Sequence, residues 1–261
     1  MNTNAQKTLA ARAAIVGTAL AAFSVLPCTA SASTIYQDNF SGSKTAALNG
    51  AVPTIDNGPS GTTWTASGAW ADSGYSSATT GRQNAYLSFA PTSGQVYTLT
   101  AGLDVTGAAP GQADANNWAA LGFMTTQSTT GGWDTSGASP WVLSAYNASW
   151  GGAFAGPAMN AMQGFTPTSG NNTYSIVLNT GSAAYSYQVF LTNSAVTNGK
   201  VGSGTFSTNP VIQAVGLENG LGNVQVTDFS LTSAPVPEPA TLGLMALGGL
   251  GLLLLKRRKA V

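Results

Sequence analysis

The body of this 261-residue chain is predicted to be a single all-β domain, a β-sandwich, on three observations. Several stretches alternate between apolar and polar residues, which is the period of a half-buried strand. No stretch of the body shows a helix pattern, and Gly, Pro, Asn and Ser divide the strands, as in Asn57-Gly58-Pro59-Ser60. About 200 residues without a linker-like break favour one sandwich, since single all-β domains reach this size.

The alternation predicts about eleven strands in chain order. They are residues 34–40, 62–70, 85–90, 96–105, 118–125, 141–146, 173–179, 185–191, 204–207, 211–217 and 224–232. In the last strand the apolar phase shifts from Val224 and Val226 to Phe229 and Leu231, which predicts a β-bulge near Thr227-Asp228. Long loops are expected over 108–117 and 151–170, and a linker over 235–239.

Four segments of the body carry a family resemblance. They are Gln37-Asp38-Asn39-Phe40-Ser41-Gly42, Tyr97-Thr98-Leu99-Thr100-Ala101, Trp118-Ala119-Ala120-Leu121-Gly122-Phe123 and Val226-Thr227-Asp228-Phe229-Ser230-Leu231. Their order resembles that of the concanavalin A-like jelly rolls of the laminin G and laminarinase type. The resemblance implies that the first and last strands pair, which would place Phe40 and Phe229 in one core region.

The charges of the body argue against a nucleic-acid partner. Between residues 33 and 234 the cations are Lys44, Arg82 and Lys200, and the acids are Asp38, Asp56, Asp72, Asp104, Asp114, Asp134, Glu218 and Asp228. Three minus eight gives a net charge of −5, so the formal zero of the whole chain reflects cations at its two ends. A mildly acidic body without a basic patch is not typical of nucleic-acid binding.

Residues 1–32 are predicted to be a secretory signal peptide. Lys7 and Arg12 form a charged region, an apolar stretch follows, and Ala30 and Ala32 frame a small-residue cleavage site. We therefore expect passage through the Sec translocon and cleavage by signal peptidase after Ala32.

Cys28 is the one cysteine of the chain and falls within this signal peptide. Lipid attachment there is disfavoured, because Pro27 stands where a lipoprotein has a small residue. The mature chain would then contain no cysteine, which excludes disulfides and thiolate chemistry.

Residues 235–261 form a tail of three parts. In Val236-Pro237-Glu238-Pro239 the prolines fix φ and hold their neighbours extended, which gives a stiff peptide. The apolar stretch 241–255 is predicted to be a transmembrane helix about 22 Å long, short of the about 30 Å hydrocarbon core. Lys256-Arg257-Arg258-Lys259 would stop it on the cytoplasmic side.

Two other interpretations of the tail were weighed. A buried core helix is disfavoured, because a helix that ends in four cations is hard to bury in a β protein. A plain single-pass membrane anchor has the same apolar stretch and the same cations. The order of the parts favours sorting, since it resembles the PEP-CTERM sorting domain of Gram-negative bacteria. That resemblance implies recognition by an exosortase at the inner membrane and cleavage near Pro237-Glu238-Pro239.

No set of catalytic residues is found, and the chain is expected not to be an enzyme. Laminarinase-type jelly rolls use Glu-x-Asp-x-x-Glu on one strand, whereas this chain has only Glu218 and Glu238. The chain has no His, which excludes His-based triads and His metal sites. No phosphate-binding or dinucleotide motif stands out, and no cofactor is expected.

A group of aromatic residues suggests contact with a glycan. Trp133, Trp141, Tyr146 and Trp150 lie within eighteen residues, interleaved with Asp134, Asn147 and several Ser and Thr. Trp141 belongs to an apolar run and is predicted to be core. Trp133, Asp134 and Trp150 are the candidate glycan contacts, and the alternative is that these aromatics too are buried in the core.

Asp38 and Asp228 are a candidate calcium pair. Pairing of the terminal strands would bring both carboxylates close to the Asn39 amide, and oxygen ligands suit Ca²⁺. The resemblance implies a structural calcium in this region of some jelly rolls. The favoured alternative is two solvated carboxylates.

Two functions are therefore expected from different classes. The first is an exported, non-enzymatic protein of the cell surface or extracellular matrix, handed by an exosortase to the envelope or to extracellular polysaccharide. The second is a carbohydrate-binding module that recognises a specific glycan.

Overall fold

The computed structural model describes residues 31–59, 61–79, 81–105, 118–132, 139–145, 154–155, 160–161, 170–220 and 222–236. Ser31–Val236 form one compact unit. Within the described residues no helix is long and apolar enough to cross a membrane. The expected spanning segment 241–255, the signal sequence up to Ala30 and the expected loop 108–117 lie outside the described residues.

The described part of the domain contains fifteen strands. They are β1 (Ser33–Asp38), β2 (Ile55–Asp56), β3 (Thr65–Ala66), β4 (Tyr75–Ala78), β5 (Gln83–Ser88), β6 (Gln95–Asp104), β7 (Trp118–Met124), β8 (Trp141–Ala145), β9 (Phe154–Ala155), β10 (Asn160–Ala161), β11 (Asn172–Asn179), β12 (Ser186–Thr192), β13 (Gly199–Thr205), β14 (Ala214–Asn219) and β15 (Gly222–Pro235).

The strands form two antiparallel sheets. The eight-stranded sheet has the order β13-β12-β11-β6-β15-β1-β2, with β4 also pairing with β15. The seven-stranded sheet has the order β10-β9-β8-β7-β14-β5-β3. The chain crosses between the sheets from β5 to β6 and again from β6 to β7, as in jelly rolls. The predicted all-β jelly-roll sandwich is confirmed.

The core lies between the sheets and follows the predicted alternation. In β6 every second residue from Tyr97 to Leu103 is buried, and Val105 continues the series. Tyr174, Ile176 and Leu178 of β11 face the same cluster from the neighbouring strand. Leu121 and Leu217 contribute from the seven-stranded sheet. Burial of these faces supplies most of the folding free energy of a domain that lacks disulfides.

The terminal strands pair as the resemblance implied. Asp38 of β1 lies opposite Phe229 of β15. Phe40 and Phe229 both belong to the core cluster and both pack on the ring of Trp64. The register of β15 against β6 shifts between Thr227 and Ser230, and Asp228 has a φ of +53°. The predicted bulge is therefore confirmed.

Three strand boundaries were predicted wrongly. Only Thr65–Ala66 of residues 62–70 is a strand, because Trp64 and Trp70 donate their N–H groups within loops, to Ala51 and Ser67. The strand predicted over 204–207 begins earlier, at Gly199. The strand predicted over 211–217 begins at Ala214, since Val211 is exposed.

Short elements were also missed. β2 and β4 were not predicted, and the expected loop 151–170 contains β9 and β10. Two residues are too few to show alternation, and in β4 the tyrosine is followed by three small residues, Ser76-Ser77-Ala78.

The last strand continues past the expected end of the domain. Pro235 pairs with Gln95, and the Val236 N–H donates to the Gly94 carbonyl over 3.0 Å. The expected linker therefore starts as part of the sheet, which is possible because a proline at a strand end needs no N–H partner. The Val236 side chain lies over Gly181, where an added Cβ would be 2.5 Å from Val236 Cγ2.

Candidate functional site

The outer face of the seven-stranded sheet, turned away from the core, is the first candidate surface. The pairings of β5, β14, β7 and β8 place Tyr86, Gly216, Gly122 and Trp141 in one row across the sheet. Tyr86 and Trp141 belong to a second buried apolar cluster, separate from the main core. Gly216 is required here, since an added Cβ would lie 2.7 Å from the Met124 sulfur and 2.9 Å from Tyr86 Cβ.

A charged group lies next to this row. Arg82, Glu218 and Trp118 form what we call the Arg82 cluster. One guanidinium nitrogen of Arg82 lies 3.4 Å from a Glu218 carboxylate oxygen, and the Glu218 side chain is fully buried. The guanidinium also lies over the half-buried Trp118 ring, 5.1 Å from its centroid. The ion pair and the cation–π contact fix a cation whose side chain remains 33% exposed.

The neighbouring Asn84 joins this cluster to a loop. Asn84 lies opposite Glu218 in the sheet, and its amide donates to the carbonyls of Ser128 and Gly131 at 3.0 and 2.9 Å. Gly131 stands two residues before Trp133 in the chain. The segment that leads to the predicted glycan residues is therefore held at the Arg82 cluster.

The chemistry of the cluster suits binding. A guanidinium donates hydrogen bonds to oxygen acceptors such as the hydroxyls of a ligand. Glycoside hydrolysis requires two carboxyl groups about 5 to 9.5 Å apart, whereas the Arg82 cluster contains one.

Sequence reasoning missed the Arg82 cluster. Its partners are separated by 136 positions in the chain, from Arg82 to Glu218, and meet only through the pairing of β5 with β14. One signal was available, because Arg82 and Glu218 are the only arginine and glutamate between residues 33 and 234.

The predicted glycan contacts cannot be placed. Trp133, Asp134 and Trp150 lie outside the described residues, as do Tyr146 and Asn147. Trp141 is fully buried, which confirms that it is a core residue. The glycan contacts stay a prediction.

The proposed calcium pair is divided between two environments. Asp38 is buried, and its carboxylate accepts hydrogen bonds from the Trp64 indole N–H at 2.7 Å and the Phe40 N–H at 2.9 Å. Asp228 is exposed at the bulge. Among the described residues no group of three or more acidic, His or Cys side chains could hold a metal ion. The Asp38 oxygens accept hydrogen bonds from the protein itself. Calcium binding at Asp38 and Asp228 stays a prediction.

Asp38 has a consequence for the pH dependence of stability. Burial raises the pKa of its carboxyl above the ordinary 3.8, although the hydrogen bonds from Phe40 and Trp64 act in the opposite direction. The folded protein therefore holds this proton more tightly than the unfolded chain. The resulting stabilisation is complete below the unfolded pKa and is lost as the pH rises through the raised folded pKa.

We expect this effect to appear as a difference between wild type and Asp38→Asn. Urea unfolding of both, from about pH 3 to about pH 7, gives the free energy of unfolding at each pH. The wild-type value minus the variant value should fall as the pH rises. A difference that stays constant or rises with pH would contradict the assignment.

The two ends of the chain are only partly described. Ala32 is exposed directly before β1, so the expected cleavage would leave Ser33, the first residue of the first strand, at the new N-terminus. Ala30 lies outside the described residues, as do Pro237, Glu238, Pro239 and the basic stop Lys256-Arg257-Arg258-Lys259.

Comparison with known proteins identifies the tail. Residues 235–259 match the PEP-CTERM protein-sorting motif, which implies exosortase-dependent sorting and export in Gram-negative bacteria. This confirms the resemblance seen in the tail. No curated protein sequence is significantly similar to the chain.

Solved structures are similar to the body in fold. An endo-1,3-beta-glucanase from Streptomyces sioyaensis is 12% identical with a TM-score of 0.45, and the match covers 81% of this chain and 99% of that one. A peanut lectin with a 9mer peptide is 11% identical with a TM-score of 0.43, and the match covers 79% of this chain and 99% of that one. Arcelin-5, a lectin-like defence protein from Phaseolus vulgaris, is 11% identical with a TM-score of 0.43, and the match covers 80% of this chain and 100% of that one. These similarities concern the fold alone.

Proposed function

We propose that this chain is an exported, non-enzymatic protein of the cell surface or extracellular matrix, which an exosortase sorts and processes through its tail. The observation that carries the proposal is the PEP-CTERM motif at 235–259, directly behind a folded β-sandwich. The sandwich is the cargo, and the motif determines where it is delivered.

A structural or adhesive role fits the chemistry of the described body. Arg82 accompanies the buried Glu218, the one glutamate of the body, and no second carboxylate belongs to that cluster. The chain has no His to serve as a general base. Its outer surface relies on neutral Ser, Thr, Asn and Gln, and such groups are compatible with a hydrated polysaccharide matrix.

Truncation after Val236 tests the proposal in the native host. The truncated protein keeps every described strand and loses residues 237–261. We expect it to leave the cell envelope and to appear in the culture medium, while the full chain stays with the envelope or matrix fraction. A full-length Gln37→Ala variant, changed at an exposed position of β1, is the control and should fractionate as wild type. Unchanged fractionation of the truncated protein would overturn the proposal.

The second candidate function is a carbohydrate-binding module that recognises a specific glycan. The arrangement of Arg82 over Trp118 favours it, together with the Asn84 bond to the loop before Trp133. A guanidinium immobilised over an indole ring offers hydrogen-bond donors to the hydroxyls of a glycan. Such a role would give the exported domain a specific partner within extracellular polysaccharide.

A further inference from the structure

A cleft of about 350 Å³ lies on the outer face of the eight-stranded sheet. It is formed at one end of β6, β11, β12 and β13, within strands that the structure describes completely. The cleft does not involve the Arg82 cluster, which lies on the other sheet. Its volume is at the lower end of the range for small-molecule sites.

The register explains the shape of the cleft. Val177, Gln188 and Ser203 lie side by side in one row, and Asn179, Ser186 and Thr205 lie in the next. Short Val, Ser and Thr side chains leave the floor low. The longer side chains of Gln188 and Asn179 project beside them. This difference in side-chain length leaves an open depression in the surface of the sheet.

The lining is neutral and able to form hydrogen bonds. Val96 and Val177 are half-buried and supply an apolar floor, and Gly204 and the buried Tyr187 also belong to the lining. The remaining side chains are amides and hydroxyls. The backbone N–H of Gly181 donates to Asn179 Oδ1 at 2.8 Å, which orients the Asn179 amide and leaves its NH₂ group available. Within the described part of the chain, no hydrogen bond to protein occupies the side chains of Gln188, Ser203 or Thr205.

An aromatic ring borders the cleft. Phe190 is half-buried on the same face of β12, two residues from Gln188, so the two side chains are neighbours along the strand. The charged residue nearest in the register is Lys200, which pairs with Phe190 and does not line the cleft. An anionic ligand such as a phosphate would find no cation in the lining.

We propose that this cleft binds a neutral saccharide, as one or two units of a longer chain. Saccharide hydroxyls donate and accept hydrogen bonds, which matches the amides of Gln188 and Asn179 and the hydroxyls of Ser203 and Thr205. The C–H faces of the sugar ring pack on the Val96 and Val177 floor, with Phe190 at the side. The cleft is open, so a polymer can run through it.

The test uses residues 33–236, which contain all fifteen strands and nearly the whole compact unit Ser31–Val236. The fragment is applied to an array of neutral glycans, with anionic glycans beside them, and hits are measured by titration. Gln188→Ala and Ser203→Ala remove exposed polar groups of the cleft. Gln37→Ala is the matched control, a glutamine of the same sheet face outside the cleft. Arg82→Gln tests whether the glycan binds instead at the Arg82 cluster on the other sheet.

We expect saturable binding of a neutral glycan that weakens about tenfold or more in Gln188→Ala and Ser203→Ala, and that stays unchanged in Gln37→Ala. Circular dichroism melts of the four variants show whether each is folded. Binding that is lost in Arg82→Gln and kept in Gln188→Ala would assign the glycan to the Arg82 cluster and overturn the cleft. Binding restricted to anionic glycans, or none on the array, would also overturn it. These outcomes leave the sorting proposal intact, because the fragment lacks the tail after Val236.

Discussion

Trp64→Ala is expected to lower the free energy of unfolding by about 5 kcal/mol or more, because two losses combine at one residue. Removing a buried Trp side chain leaves a cavity that costs about 3 to 5 kcal/mol. The Asp38 carboxylate would also lose the indole donor 2.7 Å away, and an unsatisfied buried acceptor adds about 1 to 3 kcal/mol. The free energy of unfolding of a whole domain is about 5 to 15 kcal/mol, so this variant is expected to be largely unfolded or barely stable.

The position of Trp64 explains the size of the effect. Its ring packs edge-on against Phe229 with centroids 5.0 Å apart, and it lies 5.8 Å from the ring of Phe40. Phe229 is on the last strand, and Phe40 stands two residues after the end of the first. Trp64 therefore links the two ends of the domain in one cluster, next to the pairing of β1 with β15.

Phenylalanine variants separate packing from hydrogen bonding. Trp64→Phe keeps an aromatic ring and removes the donor to a carboxylate, so we expect a loss of about 1.5 to 3 kcal/mol from the hydrogen bond alone. Trp70→Phe is the matched control: Trp70 is equally buried, and its indole donates to the neutral Gln83 carbonyl at 3.1 Å. Its hydrogen bond is expected to contribute about 0.5 to 1.5 kcal/mol.

Urea unfolding of residues 33–236 measures both variants at about pH 7. Trp64→Phe should be the less stable of the two. In an Asp38→Asn background the difference should shrink, because the acceptor is then uncharged. Equal losses in Trp64→Phe and Trp70→Phe, unaffected by Asp38→Asn, would show that the Asp38 bond adds nothing beyond ring packing.

Much of the fold could be predicted from the sequence because the signal is local. In β6 the alternation around Leu99 and Leu103 reports a strand with one face in the core. The phase slip around Thr227 revealed the bulge, since one extra residue moves the apolar set by one position. Strands that carry small residues or span two positions, such as β4 and β2, give no such pattern.

The candidate sites depend on contacts between distant parts of the chain. Arg82 meets Glu218 only when β5 pairs with β14, and the sequence holds no motif that joins them. Asp38, the acceptor for the Trp64 indole, is buried, whereas the sequence favoured a solvated carboxylate, because a single residue does not reveal its neighbours in the fold. The cleft beside Gln188 requires the register of four strands, which alternation does not specify.

Glu238→Ala is expected to abolish processing of the tail. Glu238 is the one charge in the stiff Val236-Pro237-Glu238-Pro239 segment of the PEP-CTERM motif. An extended peptide with a central carboxylate presents a single strong group for an enzyme to bind, and alanine removes it. The intact mass of the native protein should then extend to Val261, and the protein should accumulate in the inner membrane. Asp228→Asn removes an exposed carboxylate of the body, at a left-handed position that Asn tolerates, and should be processed as wild type.

The structure narrows where the wild-type product should end. Pro235 pairs with Gln95, and the Val236 N–H donates to the Gly94 carbonyl, so cleavage before Val236 would remove a residue that is hydrogen-bonded directly beside β6. We therefore expect the processed chain to keep Val236 and to end between Pro237 and Pro239. An intact mass in that range, absent from Glu238→Ala, would establish that processing leaves the sandwich whole. A wild-type mass that extends to Val261 in the inner membrane would instead mean that the tail is a plain anchor.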